Sequence, residues 1–163
     1  MITDFAHNHL VQLDKRNYRL HHESAPFSTQ VTKLCKTSKQ RKPQQHDNVF
    51  WIEDVVDNNP VGLMRLVPMD LADDDIINDA WLVRGLWINP SLRRNGLATQ
   101  LINFCLTRTM TDNSTTRIYA MAKPELDRFY QHLGFVVINP NKNQTLPLCQ
   151  PKKNWHTWLI TLS

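Results

Sequence analysis

Apolar and polar positions change rhythm several times along the chain, and each rhythm predicts an element. VFWIEDVV, from Val49 to Val56, reads as a strand; Asp57-Asn58-Asn59-Pro60 supplies turn chemistry, and VGLMRLV reads as a second strand, so the segment predicts a hairpin. WLVRGLWI, Trp81 to Ile88, is almost continuously apolar, the pattern of a central strand covered on both faces. After a polar connection from Asn89 to Asn95, Ala98, Leu101, Ile102 and Cys105 recur at helical spacing. They form one buried stripe of a helix ending near Arg108, with Thr99, Gln100 and Asn103 turned to water. RIYAMA (Arg117 to Ala122) predicts a strand, Pro124 opens a short helix that Gly134 ends, Phe135 to Ile138 begins another strand, and the alternating WHTWLIT (Trp155 to Thr161) makes a last one. On this reading Trp51, Trp81, Trp87, Trp155 and Trp158 all fall in strands, where packing accounts for them.

The first fifty residues are polar and rich in His, Gln and Lys, and predict a single element, an amphipathic helix from about Ser28 to Lys39 carrying Val31, Leu34 and Cys35. The order is then hairpin, central strand, helix, strand, helix, strand, strand, with a right-handed crossover between the parallel strands at Trp81–Ile88 and Arg117–Ala122. This is an α/β (α+β) chain, a mixed sheet with helices on its faces. Its 163 residues, 41% of them hydrophobic, suit one core and so a single domain over 1–163. Five Trp, six Phe and three Tyr exclude disorder over the whole length. The longest apolar runs are too short for a membrane span, and the start MITDFAHNHL lacks the basic opening and apolar centre of a signal peptide, so a cytoplasmic protein is expected. Cys35, Cys105 and Cys149 have no CxxC spacing and read as free thiols, with neither a disulfide framework nor a zinc site. Nineteen Lys and Arg against fifteen Asp and Glu favour the approach of an anionic ligand.

The stretch with most chemistry is LWINPSLRRNGLATQL, Leu86 to Leu101, where an apolar strand runs through Arg93-Arg94-Asn95-Gly96-Leu97-Ala98 into a helix. At a helix start the first N–H groups lack internal partners and face outward with the positive end of the macrodipole, which suits a pyrophosphate. Gly96 and Ala98 allow close approach to the backbone, and Arg93 and Arg94 add charge. Neither the GxxxxGK(S/T) of a P-loop nor the three spaced glycines of a dinucleotide fold is present, which disfavours ATP and NAD.

Arg93-x-x-Gly96-x-Ala98 after a strand, with Asn89-Pro90 in the connection, resembles the coenzyme A pyrophosphate loop of the GNAT superfamily of N-acyltransferases. Phe129-Tyr130-Gln131-His132-Leu133-Gly134-Phe135 resembles that family's FYxxxGF motif, in the expected order. The resemblance covers about Val49 to Ser163, and the N-terminal third fits loosely as the family's first strand and paired helices. It implies a mostly antiparallel sheet of six to seven strands flanked by helices, with one splayed parallel pair. The pyrophosphate of acetyl-CoA would then lie on Arg93, Arg94, Asn95, Gly96, Leu97, Ala98 and Thr99. The pantetheine arm would follow Leu86, Trp87 and Ile88 as an added strand does, and Trp87 would line the acyl pocket. A primary amine attacks the acyl carbon directly, an amide near Trp87 or Ile88 stabilises the oxyanion, and Tyr130 protonates the departing thiolate.

Many relatives carry a glutamate base on the central strand, where Leu82-Val83-Arg84-Gly85-Leu86 has none; water relays or an acid from elsewhere, with Glu53, Asp54, Asp70 and Asp79 as candidates, would have to serve, and no base is assigned. The acidic cluster Asp70, Asp73, Asp74, Asp75 and Asp79 reads as a solvated loop that would also draw in a cationic amine. His7, His9, His21 and His22 lack metal-ligand spacing and read as surface residues, and no metal is expected. The acceptor is expected to be a small-molecule or peptide amine, with no membrane partner and no nucleic acid, and the exposed last strand leaves room for a homodimer. The alternative is a non-catalytic CoA-sensing or nucleic-acid-binding module using the basic run Lys33, Lys36, Lys39, Arg41 and Lys42.

Overall fold

The computed structural model describes residues 9–69, 79–110, 115–138 and 152–163. Strands β1 (His9–Leu13), β2 (Arg16–Glu23), β3 (Asn48–Asp54), β4 (Asn59–Pro68), β5 (Asp79–Ile88), β6 (Thr116–Ala122), β7 (Val136–Ile138) and β8 (His156–Leu162) form one sheet. Their order is β1-β2-β3-β4-β5-β6-β8-β7, and every neighbouring pair is antiparallel except β5 and β6. Helix α1 (Thr29–Thr37) packs on one face; α2 (Leu97–Thr109) and α3 (Asp127–His132) belong to the other. The acidic residues Asp70 to Asp75, His7, Cys149 and the side chain of Asp79 lie outside the described residues.

The hairpin, the central strand, the following helix and the later strands stand where the pattern predicts them, within a few residues at each end. Three points differ. The sheet has eight strands rather than six or seven, because the polar N-terminal segment contains the β1–β2 hairpin. Its turn, Asp14-Lys15, holds both residues at positive φ (46° and 64°), the geometry that matches strand twist in a two-residue hairpin. In β2 only Tyr18 and Leu20 turn into the core, while Arg19 and His21 take the other face. Second, β8 lies between β6 and β7 and is not the outermost strand, with β7 pairing along Thr157 to Leu159. Third, Trp155 precedes β8.

Ser28 caps α1 by accepting a hydrogen bond from Val31 N, and Val31, Leu34 and Cys35 are buried as the helical spacing requires. Glu23 locks this helix to the sheet: its carboxylate accepts from Ser28 N, Ser28 Oγ and Trp51 Nε1, each at 2.8 Å. On the α2 face, Phe50, Ile52, Met64, Leu101, Ile118 and Trp158 form the main core, with Cys105 buried among them.

Two irregularities give β5 its functional shape. Leu63 pairs with Trp87 and Arg65 with Arg84, so β5 carries one more residue than β4 across that interval and bulges there, with Gly85 at φ +63°. On its other side β5 pairs with β6 only from Asp79 to Leu82. From Val83 to Ile88 the two parallel strands have separated, as the resemblance implied.

Candidate functional site

The loop after β5 is held by its own polar groups. Asn89 N donates to Val61 O at 2.8 Å, and the Asn89 side chain accepts from Ser91 N and Ser91 Oγ at 3.1 and 3.0 Å, shaping the short turn Pro90–Leu92. Arg93 Nε donates to Ile88 O at 3.0 Å, tying the loop back to the strand end. Arg94 and Gly96 then adopt left-handed backbone, φ +66° and +80°, and turn the chain into α2.

Gly96 is the N-cap of α2, and no side chain caps the helix. The first bond across this turn runs from Gln100 N to Gly96 O at 3.0 Å, so the amides of Leu97, Ala98 and Thr99 have no carbonyl acceptor within the helix. They carry the positive end of the α2 dipole. A Cβ built on Gly96 would meet no atom within 4 Å, so the space in front of this turn is open. These features fit the pyrophosphate of coenzyme A: uncapped amides, two arginines and no side chain in the way.

A cavity of about 550 Å³ joins this helix start to the unpaired end of β5. Nine of the ten residues expected to meet the coenzyme line it, namely Leu86, Trp87, Ile88, Arg93, Arg94, Gly96, Leu97, Ala98 and Thr99; Asn95 does not. Leu92, Leu126 and Phe129 complete the wall and were not foreseen. Phe129 had a signal, since it adjoins Tyr130 in the FYxxxGF motif and neighbours on a short helix point to different sides.

Tyr130 stands behind that wall and does not line the cavity. It is 4% exposed, meets Phe129 and Phe135 edge-on at 5.1 and 5.4 Å, and stacks on Trp158 at 6.0 Å. Burial pushes its phenol up to about 12, which keeps it protonated at neutral pH. His156 Nδ1 lies 2.9 Å from Asp127 Oδ1 and ties β8 to α3 beside it.

Of the acids considered as bases, the two whose side chains are described, Glu53 and Asp54, are engaged elsewhere. Glu53 is 3.2 Å from Arg19 and 3.0 Å from His21 Nε2, and Asp54 is 3.3 Å from Arg16 and accepts from Val56 N. His9 and His22 are exposed and His21 is half-buried, and His21 stacks on Trp51 and His22 on Phe50. Among the described residues no three His, Cys, Asp or Glu side chains group as metal ligands would. The basic run divides: Lys33 bonds Asn59 Oδ1, and Arg41 and Lys42 line a second cavity.

Comparison with solved structures gives Arabidopsis thaliana NAA60 in complex with acetyl-CoA (TM-score 0.62, 9% identity, covering 88% of this chain and 97% of that one). Escherichia coli ElaA aligns with a TM-score of 0.62 at 13% identity, covering 88% of this chain and 98% of its own. A spermidine N-acetyltransferase SpeG chimera from Vibrio cholerae and hSSAT aligns with a TM-score of 0.57 at 16% identity, covering 86% and 94%. At these identities the likeness establishes the fold. A comparison with curated protein sequences gives no match. The family model of the GNAT acetyltransferase domain, however, matches residues 21–146, from the second strand past the FYxxxGF helix and through the whole loop that the cavity surrounds. The chain therefore belongs to the GNAT family of acetyltransferases.

Proposed function

We propose that this chain, acting as one domain over residues 1–163, transfers an acetyl group from acetyl-CoA to a primary amine by direct attack within a ternary complex. One observation supports the reading most strongly: a single cavity joins an uncapped helix start to the free edge of a splayed strand. A long ligand with an anionic end and an amide-bearing arm matches both halves.

Bound coenzyme would supply the activated acyl thioester. The amides of Leu97 to Thr99, with Arg93 and Arg94, hold the pyrophosphate. The side of Leu86 to Ile88 turned away from β4 accepts and donates hydrogen bonds along the arm as a neighbouring strand would. An amide at Trp87 or Ile88 then faces the carbonyl oxygen as it gains charge. Protonation of the leaving sulfur is assigned to Tyr130, and because its phenol stands behind Phe129 this step requires bound coenzyme to open that wall; the attacking nitrogen of the neutral amine releases one proton in forming the amide, and this restores the phenol. A cytoplasmic location suits the unpaired buried thiols of Cys35 and Cys105. Among the described residues no helix is long and apolar enough to cross a membrane.

Thiol release from acetyl-CoA against a broad amine panel tests the activity, with a coenzyme-induced rise in melting temperature as an independent test of the site. Release with at least one amine, together with that rise, is the expected result. No rise at millimolar CoA and no release with any amine would end the proposal.

A further inference from the structure

Resting on the acetyl-transfer reading, we infer that the acceptor is a small primary amine that also carries a carboxylate or phosphate, held by a cationic pocket on the α1 face of β5. This pocket, of about 470 Å³, is lined by Arg41, Lys42, Gln44, Asp47, Arg65 and Arg84, together with Val67. Its size is that of a small-molecule site. Among its lining residues four cations face one carboxylate, and Asp47 is already committed, accepting from Gln44 N at 2.9 Å and lying 3.3 Å from Arg65 Nη1. Leaving Arg84 aside, Arg41, Lys42 and Arg65 still outnumber Asp47 three to one.

One of these cations is incompletely satisfied. Arg65 sits opposite Arg84 in the β4–β5 register, so the two side chains leave the sheet on one face. Arg65 Nε is buried and has no hydrogen-bond partner among the described residues. An anion seated against Arg65 removes this penalty and is the natural complement of a planar, multi-donor side chain.

The pocket's position links it to acyl transfer. Gln40 Nε2 donates to Gly85 O at 2.8 Å, fastening the loop that carries Arg41 and Lys42 onto the β5 bulge. Arg84 stands just before that bulge, and Leu86, which lines the coenzyme cavity, just after it. Leu63 and Arg65, the partners of Trp87 and Arg84, share one face of β4, so Trp87 and the pocket's two strand arginines share one face of the sheet. Arg84 and Leu86 are two positions apart along the strand, about 7 Å at extended spacing. An anion bound at Arg65 thus leaves an amine a few bonds away beside the gap where the thioester would lie, whereas a polycation would be repelled.

The test uses the full chain, acetyl-CoA and amine pairs that differ only in the anion. These are amino acids against their amides, ω-amino carboxylates against the amines lacking the carboxylate, and aminoalkyl phosphates against amino alcohols, with spermidine as the polycation. The anionic member should show kcat/KM at least ~10-fold higher, and Arg41→Gln with Lys42→Gln should cut that ratio at least ~5-fold, while Arg41→Lys with Lys42→Arg keeps it. A ratio of one or less, a preference for spermidine, or a ratio unmoved by the glutamine variant overturns the inference and leaves acetyl transfer standing. Acceptance of acidic peptides over every small anionic amine also overturns it. If nothing in the panel reacts, calorimetric titration of the same pairs into CoA-saturated protein decides: tighter binding of the anionic member supports the inference, and equal or weaker binding refutes it. Failure of CoA itself to bind removes the acetyl-transfer reading and takes the inference with it.

Discussion

Gly96 offers the sharpest test of the coenzyme site, because its backbone and its surroundings make separate demands. At φ +80° any side chain pays for left-handed backbone, roughly 1–2 kcal/mol. The absence of any atom within 4 Å of a Cβ there adds no steric cost. For a chain of this length the unfolding entropy is about 0.34 kcal/mol per degree, so about 1 kcal/mol moves the midpoint by about 3 °C. Gly96→Ala and Gly96→Glu should therefore both melt roughly 3–6 °C below the parent without ligand. Coenzyme at about 100 times its dissociation constant adds about 2.7 kcal/mol, or about 8 °C, to the parent. Gly96→Glu should lose nearly all of that gain, since its carboxylate enters the space in front of the uncapped amides, while Gly96→Ala should keep a substantial part. Differential scanning fluorimetry of the three proteins with and without CoA measures every term. A Gly96→Glu protein with the full parental gain would show that the start of α2 is not where the anion binds. A Gly96→Ala protein that melts with the parent would refute the backbone argument.

Three other outcomes are expected. Tyr130→Phe should lower kcat about tenfold to a few hundredfold and leave the KM for acetyl-CoA nearly unchanged, and an unaltered kcat would return Tyr130 to packing alone. Burial holds Tyr130 and Cys105 at about 12, against ordinary values of 10.0 and 9.0, so the folded chain binds more protons than the unfolded one in that window. Stability measured by denaturant titration should then fall as pH rises from about 9 to 12, Tyr130 accounting for roughly 3 kcal/mol of the loss above pH 10, a share that Tyr130→Phe removes; a flat profile to pH 11 would refute this. Glu23→Ala releases Ser28 N, Ser28 Oγ and Trp51 Nε1 together and should cost about 2–4 kcal/mol by urea unfolding, a loss under about 1 kcal/mol showing that α1 is anchored by other contacts.

How much of the molecule is legible in its sequence depends on how local each feature is. The run Trp81–Ile88, the small residues Gly96 and Ala98, and the stripe Leu101, Ile102 and Cys105 are contiguous, so strand, loop and helix start can be read together with nine residues of the cavity wall. The β1–β2 hairpin cannot. Asp14-Lys15 reaches positive φ without the glycine that normally announces such a turn, and RNYRLHHE hides two buried positions among charged ones. Leu126 and Phe129 join the wall only because the chain after β6 brings α3 beside the loop, whereas Leu92 lies in the loop itself. The cationic pocket is still less visible, since it needs a bulge register that sets Arg84 opposite Arg65 and a loop drawn over both by Gln40. The basic run that carries Arg41 and Lys42 is plain in the sequence, but only as a linear feature suited to a nucleic-acid backbone.

The insertion of β8 between β6 and β7 bears on how the chain is made. While the ribosome is still short of His156, β6 has no neighbour on one side and β7 has none at all, so the half of the sheet that borders the coenzyme gap cannot close. The strand that seals it pairs Leu162 with Thr116, contacts distant in sequence and slow to find. Nascent chains halted before that strand would expose the raw flank of β6 to any extended peptide nearby, and newly made enzyme would become competent only once β8 had threaded itself between two neighbours already waiting for it.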